Sequence, residues 1–425
     1  MEHEPQDGLV IIVMSFVFIS VCDDFILQRK HKKCLTCLRL LGEKLHSNKV
    51  PITLGPDKLP CPVELVLPSP VIDSYRNKDE FSIGPGVDGS EKTVGFYVNS
   101  GVDHPSKYCI NPDEISIIKD SHKALIKDFQ NYIRQSSLPA SIMHDDGGYW
   151  RNISVRSNEK NDLMAVVVMN PQALTKEELQ TEKEKLKNYF STIPKSYNLR
   201  SLYFQACSLS SPGHEQAPFE LLLGEPCVIE ELNGLKLRIS PGSYFLTNTK
   251  IVESVNDTLL KLCKVKNSTT VIDVCCGIGP LSLSFSRKVK RCIGIDASAE
   301  AINDANVNAA ANNKGNVDFI QGCVEHLLKI ILNDAFHEDL LVVINPSKIN
   351  LRKTIVNSLR ECKHLKKIIY ISTKPQNSLE DFVQLCKPCG LRDHFGKPFY
   401  PILAVPVDFF PQTDHFGLIL MLQRL

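Results

Sequence analysis

Three periods of apolar and polar residues succeed one another along the chain. Residues 23–49, DDFILQRKHKKCLTCLRLLGEKLHSNK, place apolar side chains at helical spacing behind a basic cluster of Arg29, Lys30, Lys32 and Lys33. That pattern predicts an amphipathic helix whose charges are either a solvated face or phosphate contacts. From Pro51 to about Arg238 the runs shorten: VELVL, TVGFYV, NISVRS and LMAVVVM read as strands and TKEELQTEKEKLKNYFSTI as a helix, an α+β mixture. Within it Arg76, Lys78 and Lys92 are surface charges or phosphate contacts.

From about Ser240 onward, strand, turn and helix alternate. TTVIDVCCGIG precedes the helical LSLSFSRKV, and RCIGIDAS, a helical AEAINDANVNAAANN, NVDFIQG, LLVVINP, KKIIYIST and GLILMLQRL follow. Apolar strands alternating with helices predict a mostly parallel sheet that binds ligands at the carboxyl ends of its strands. The expected fold is α/β: a Rossmann-like doubly wound domain over residues 239–425, a smaller α+β domain over 51–238 and an extension over 1–50.

A length of 425 residues and 43% hydrophobic content agree with two or three packed cores. Lys and Arg total 49 against 48 for Asp and Glu, which argues against bulk electrostatic capture of nucleic acid and leaves room for a local basic surface. The 15 cysteines, in a chain this large, read as reduced thiols of an intracellular protein. Cys34 and Cys37 pair by spacing, as do Cys386 and Cys389, but nothing in the sequence joins the pairs, and no metal is expected. The apolar run at residues 9–22 is shorter than the roughly 20 residues of a membrane span, so no span is expected. The acidic MEHEPQD before it fits neither a signal peptide nor a clear mitochondrial presequence.

The candidate chemistry begins at Asp273-Val-Cys-Cys-Gly277-Ile-Gly279, where an apolar strand gives way to a helix and glycines let the backbone approach a ligand. Asp296 closes the next strand 23 residues later, the right distance for a carboxylate accepting hydrogen bonds from ribose hydroxyls. A carboxylate at Asp273 would repel a pyrophosphate and suits a cationic, amine-bearing cofactor, which favours S-adenosylmethionine over a dinucleotide. Glu325, after the following strand, either reads an adenine edge or is a helix N-terminal charge.

In YRNKDEFSIG (75–84), TVGFYV (93–98), SLYFQ (201–205), LLLGEPCVIEEL (221–232), RISPGSYFLTNT (238–249), DVCCGIG, INPSKINL (344–351), ISTKP (371–375) and AVPVDFFPQTDHFGLIL (404–420), the chain resembles the RNA uracil-5-methyltransferases. It is most similar to the animal tRNA (uracil-5-)-methyltransferase homologues, the mitochondrial branch included. The resemblance implies a class I methyltransferase domain after an RNA-handling domain, S-adenosylmethionine as cofactor, and a T-loop uridine of tRNA as target, with mitochondrial rRNA as a second RNA. It further implies a monomer and allows a mitochondrial location. In the family a cysteine thiolate adds to C6 of the flipped uracil so that C5 can take the methyl group, and a carboxylate then removes the C5 proton.

The same resemblance places the nucleophile at Thr373 and the general base at Gly417, two residues past His415. It places cofactor contacts at Leu246, where the family has glutamine, at Cys275, Asp273, Gly277, Gly279, Asp296 and Glu325, and at Asn345 before the segment Lys348-Ile349-Asn350. Neither Thr373 nor Gly417 supplies what the chemistry needs, since a hydroxyl without an adjacent base is a far weaker nucleophile than a thiol. Three functions remain open. One is an active methyltransferase with a substitute, Thr373 assisted by His415 or Asp414, or a thiol such as Cys386. Another is a pseudoenzyme that binds tRNA and cofactor. The third is a small-molecule methyltransferase or dehydrogenase on the same sheet. Phe409 and Phe410 either stack a flipped base or pack the core.

Overall fold

The computed structural model describes residues 23–55, 57–99, 107–140, 147–208, 217–335, 339–346, 351–388 and 396–424. The run at 9–22, the segment 348–350 and Cys389 lie outside the described residues.

The first sheet is built from β1 (Lys78–Gly84), β2 (Thr93–Asn99), β3 (Lys107–Ile110), β4 (Trp150–Ser157), β5 (Asp162–Met169), β6 (Asn198–Ala206) and β7 (Glu220–Gly224) in the order β3-β2-β1-β4-β5-β6-β7. Alternating burial along β1 turns Phe81 and Ile83 inward, as half-buried strands require. Helices α2 (Asp120–Gln135) and α3 (Lys176–Thr192) supply Leu125, Phe129, Ile133, Leu186 and Phe190 to the core of this sheet. The start of α3 is written in Thr175 and Glu178, which form a reciprocal capping box. Sequence periodicity was decisive for α3 but α2 was not among the expected helices, although Leu125, Ile126, Phe129, Tyr132 and Ile133 carry a helical stripe.

A hairpin, β8 (Val228–Leu232) and β9 (Leu235–Ile239), leads to the second sheet. Its strands are β10 (Thr269–Val274), β11 (Arg291–Asp296), β12 (Val317–Gln321), β13 (Asp339–Ile344), β14 (Lys367–Ser372), β15 (Tyr400–Val407) and β16 (Gly417–Gln423). They lie in the order β12-β11-β10-β13-β14-β16-β15. The first five are parallel, and β16 and β15 run antiparallel at one side. On one face Ile251 and Leu259 of α4 (Thr249–Leu262) and Phe285 of α5 (Pro280–Phe285) pack on Val271, Val343 and Ile369. The opposite face carries α7 (Val324–Asp334), α8 (Lys353–Glu361) and α9 (Leu379–Cys386). The helix α6 (Ala299–Ala311) packs with the hairpin. Helices on both faces make this the doubly wound sheet that the alternation predicted.

The N-terminal stretch behaves differently from its expectation as an extension. Helix α1 (Asp23–Ser47) buries Cys34, Leu38, Leu41 and Leu45 in the same core as Val342, Leu359, Phe382 and Leu420. Its basic cluster is not uniformly a solvated face: Lys30 is fully buried and ion-paired with Asp408, while Arg29 and Lys33 reach Asp414 at 2.6 and 3.0 Å. The VELVL segment likewise leaves the α+β portion, because Glu64 N and Leu67 N donate to the Ala404 and Pro406 carbonyls at the edge of the second sheet. Of the basic residues in the first sheet, Arg76 pairs with Asp79, and Lys92 donates to the Ile133 and Ser136 carbonyls at the end of α2. No helix among the described residues is long and apolar enough to cross a membrane.

Candidate functional site

Each of the five parallel strands ends at one cavity of about 850 Å³, lined by Gln321 at the end of β12, Asp296 at the end of β11, Cys275 and Gly277 after β10, Asn345 after β13 and Thr373 after β14. Segment 244–246 closes it from outside with Tyr244, Phe245 and Leu246. Of the residues singled out in the sequence, Leu246, Cys275, Gly277, Asp296, Asn345 and Thr373 thus share one wall, whereas Asp273, Gly279, Glu325, His415 and Gly417 do not line it.

The loop after β10 has its shape because three of its residues take positive φ: Cys275 at 65°, Gly277 at 55° and Gly279 at 82°. At Gly279 the lack of a side chain also admits the Phe319 ring, so this glycine serves packing of the loop rather than the cavity surface. At Gly277 an added Cβ would meet nothing nearer than the Tyr244 carbonyl oxygen at 3.6 Å, which leaves the backbone open to a ligand.

Asp296 fixes this loop from the next strand. Its Oδ2 accepts from Gly277 N at 2.9 Å and its Oδ1 from Ser298 N at 2.9 Å. A carboxylate has about four acceptor positions, so two remain for hydroxyl groups of a ligand. The open loop, the half-satisfied carboxylate and the apolar walls of Phe245 and Ile278 fit an adenosyl group.

Asp273 has a different task from the one its position in the motif suggested. It is 1% exposed, beneath the loop, and its Oδ2 accepts from Ser282 Oγ at 2.7 Å, tying the end of β10 to α5. Burial pushes its carboxyl up to about 6, against the opposing hydrogen bonds from Ser282. Since the unfolded value is about 3.9, the stability contributed by the protonated carboxyl is complete below about pH 4 and is lost as the pH rises through about 6. Asp273→Asn is therefore expected to raise the melting temperature more at pH 7 than at pH 4, which thermal melts across that window would read.

Glu325 stands in the first turn of α7, bonded to Cys323 and ion-paired with Arg352 at 3.0 Å, as a helix N-terminal charge. Gln321 and Glu300 line the cavity instead, and neither was singled out in the sequence. The signal for Gln321 was available, since it ends β12 at the level where such sheets bind ligands.

At the other end of the cavity, Ser372 bonds Ser378 Oγ at 2.8 Å and receives Lys374 N at 3.2 Å, and Pro375 opens a 3₁₀ turn. That turn presents Thr373 to the cavity. The ladder between β14 and β16 pairs Ser372 with Leu418, so Gly417 lies across from Thr373 one step further along. Gly417 is buried, and a Cβ there would fall inside the surface of the Phe409 ring and 3.0 Å from the Ser372 carbonyl oxygen. Phe409 thus occupies the room into which a longer side chain at 417 would project.

The thiols within reach are not poised to react. Burial, then the Asp296 and Asp273 charges, push Cys275 up to about 12, and Cys276 is raised well above its ordinary value. Cys386 is fully buried in the core of the second sheet, beside Cys34, Cys37 and Cys61, and burial raises all four. Cys386 of α9 therefore meets Cys34 and Cys37 of α1 in one core, as neutral side chains. Among the described residues no group of three or more His, Cys, Asp or Glu is placed to hold a metal ion. Partial desolvation of the His415 ring, with the nearby charges of Lys374, Lys33 and Lys30, lowers its pKa, so it gives up its proton at a lower pH than an ordinary histidine.

A family described as methyltransferase domain matches residues 265–389. The tRNA (uracil-5-)-methyltransferase homolog B of Danio rerio is 38% identical over 372 residues, which cover 87% of this chain and 77% of the relative. The human homolog B is 35% identical over the same length, covering 87% and 74%. Among solved structures, the Pyrococcus abyssi tRNA (uracil-54, C5)-methyltransferase in complex with S-adenosyl-L-homocysteine superposes with a TM-score of 0.66 at 19% identity, covering 95% of this chain and 84% of that one. That likeness extends the agreement in fold across both sheets.

Proposed function

The chain belongs to the tRNA (uracil-5-)-methyltransferase family, and from that premise we propose that it holds a T-loop uridine of tRNA beside its cofactor without methylating it. S-adenosylmethionine is the cofactor of the methyltransferase domain, and when bound it supplies an electrophilic methyl group. Asp296, Gly277 and Gln321 would hold the adenosyl portion, and Asn345 and Leu246 the side toward Thr373.

The observation that carries this reading is the placement of Phe409 on Gly417, across from Thr373. Carbon C5 of uracil becomes nucleophilic only after addition at C6, and the product forms only after the C5 proton is removed. Thr373 offers an alcohol for the first step, and the space for a carboxylate in the second is filled by a phenyl ring. Each substitute is out of reach: Cys386 is in the core, Asp414 is held by Arg29 and Lys33, and His415 does not line the cavity. Losing both steps in one chain suits a protein retained for binding.

Purified protein is expected to transfer no labelled methyl group to unmodified tRNA. Thr373→Cys with Gly417→Glu should stay inactive, because the new carboxylate overpacks Phe409 at a cost of about 1–3 kcal/mol. Adding Phe409→Leu should then yield measurable 5-methyluridine by mass spectrometry. Multiple turnover by the unaltered chain would overturn the proposal.

A further inference from the structure

The cavity differs in polarity from end to end. Asp296 ends β11 and Glu300 lies beyond it, while Thr373 follows β14, three strands further across the sheet, past β10 and β13. At about 4.8 Å per strand the two ends are roughly 14 Å apart. Around Thr373 the lining side chains are Leu246, Ile371, Phe409 and the amide of Asn345, and none of these is charged. The Phe409 ring rests on Gly417, so apolar surface stands where the family's mechanism would put a carboxylate against C5 of the base.

An aromatic ring, a branched alkyl group and a threonine methyl are the surfaces that receive the 5-methyl group of a pyrimidine, whereas unsubstituted uracil leaves part of that surface unfilled. We infer that the ligand of this end of the cavity is a uridine already methylated at C5: the protein reads 5-methyluridine in RNA instead of making it. The inference rests on the binding reading above and adds the identity of the base. It also places the protein after the reaction its relatives are named for, as a binder of the methylated product.

The test is equilibrium binding of the full chain, saturated with S-adenosyl-L-homocysteine so that no turnover intervenes, to two synthetic T-arm stem-loop RNAs that differ only in uridine or 5-methyluridine at the target position. Burying one methyl group against apolar surface corresponds to about fourfold tighter binding of the methylated RNA. Phe409→Ala should bring the ratio close to one. Because Phe409 also packs the core, Thr373→Ser serves as a milder second variant that removes one methyl contact and should reduce the ratio, with circular dichroism and S-adenosyl-L-homocysteine affinity checking the fold of both. Equal affinity for the two RNAs, or preference for the unmethylated one, overturns the inference and leaves the binding reading intact. Failure to bind either RNA overturns the binding reading itself.

Discussion

Asp296→Ala is expected to weaken S-adenosyl-L-homocysteine binding by roughly 10- to 100-fold, the loss of one or two hydrogen bonds to a charged acceptor. Two effects combine in that number. The carboxylate loses its contacts with ligand hydroxyls, and Gly277 N and Ser298 N lose the acceptor that holds the loop open. Asp296→Asn separates the effects, because an amide keeps one acceptor oxygen for the loop and presents a donor where the second stood. Its affinity should fall between those of the alanine variant and the unaltered chain. Glu325→Ala is the matched control: Glu325 pairs with Arg352 away from the cavity, and its loss should leave calorimetric affinity unchanged.

The contrast between Asp296 and Glu325 also marks how far the sequence could be read. Strand β10 is buried along its whole length and ends in a glycine-bearing turn, so local pattern alone announced the loop, and the 23-residue spacing announced the acid. For Glu325 the sequence left two roles open, and the structure places it as the helix N-terminal charge, because a spacing argument fixes the strand but not which of the next few residues turns toward the ligand. Gln321, four positions earlier, is at the strand end where geometry selects. Asp273 reads identically in sequence whether it faces the cofactor or the floor beneath it, and only packing against Ser282 distinguishes them.

Longer-range features left no local trace. Apolar periodicity announced α1 as amphipathic, but its partner surface comes from residues more than 200 positions later, so the sequence offered no reason to deny it a solvated charged face. The same holds for the meeting of Cys386 with Cys34 and Cys37. Phe409 and Gly417 were both visible as residues, yet their contact depends on the turn between β15 and β16 folding back on itself. What sequence could not supply at the site is therefore the compensation: the missing carboxylate was legible at position 417, and the ring that fills its place was not.

That turn is held from α1, and cutting the attachment carries the largest expected cost in stability. Lys30 Nζ pairs with Asp408 across 378 residues of chain and also donates to the Phe410 carbonyl at 2.8 Å. Both side chains are at most 1% exposed, and burial lowers Lys30 and raises Asp408, each shift opposed by the partner's charge. Lys30→Met strands a buried carboxylate, which costs about 3–5 kcal/mol. Replacing both partners, with Lys30→Met and Asp408→Leu, removes the stranded charge and should recover most of that loss, since well-packed apolar pairs replace buried ion pairs at little or no cost. Denaturant titrations of the two single variants and the double variant would give the coupling energy directly. If the pair were instead dispensable, Lys30→Met would unfold at the same denaturant concentration as the unaltered chain. Because Asp408 immediately precedes Phe409, the same variants tie stability to recognition. Loosening the turn in Lys30→Met should erode the discrimination between methylated and unmethylated RNA, while cofactor affinity, set at Asp296 three strands across the sheet from Thr373, should hold.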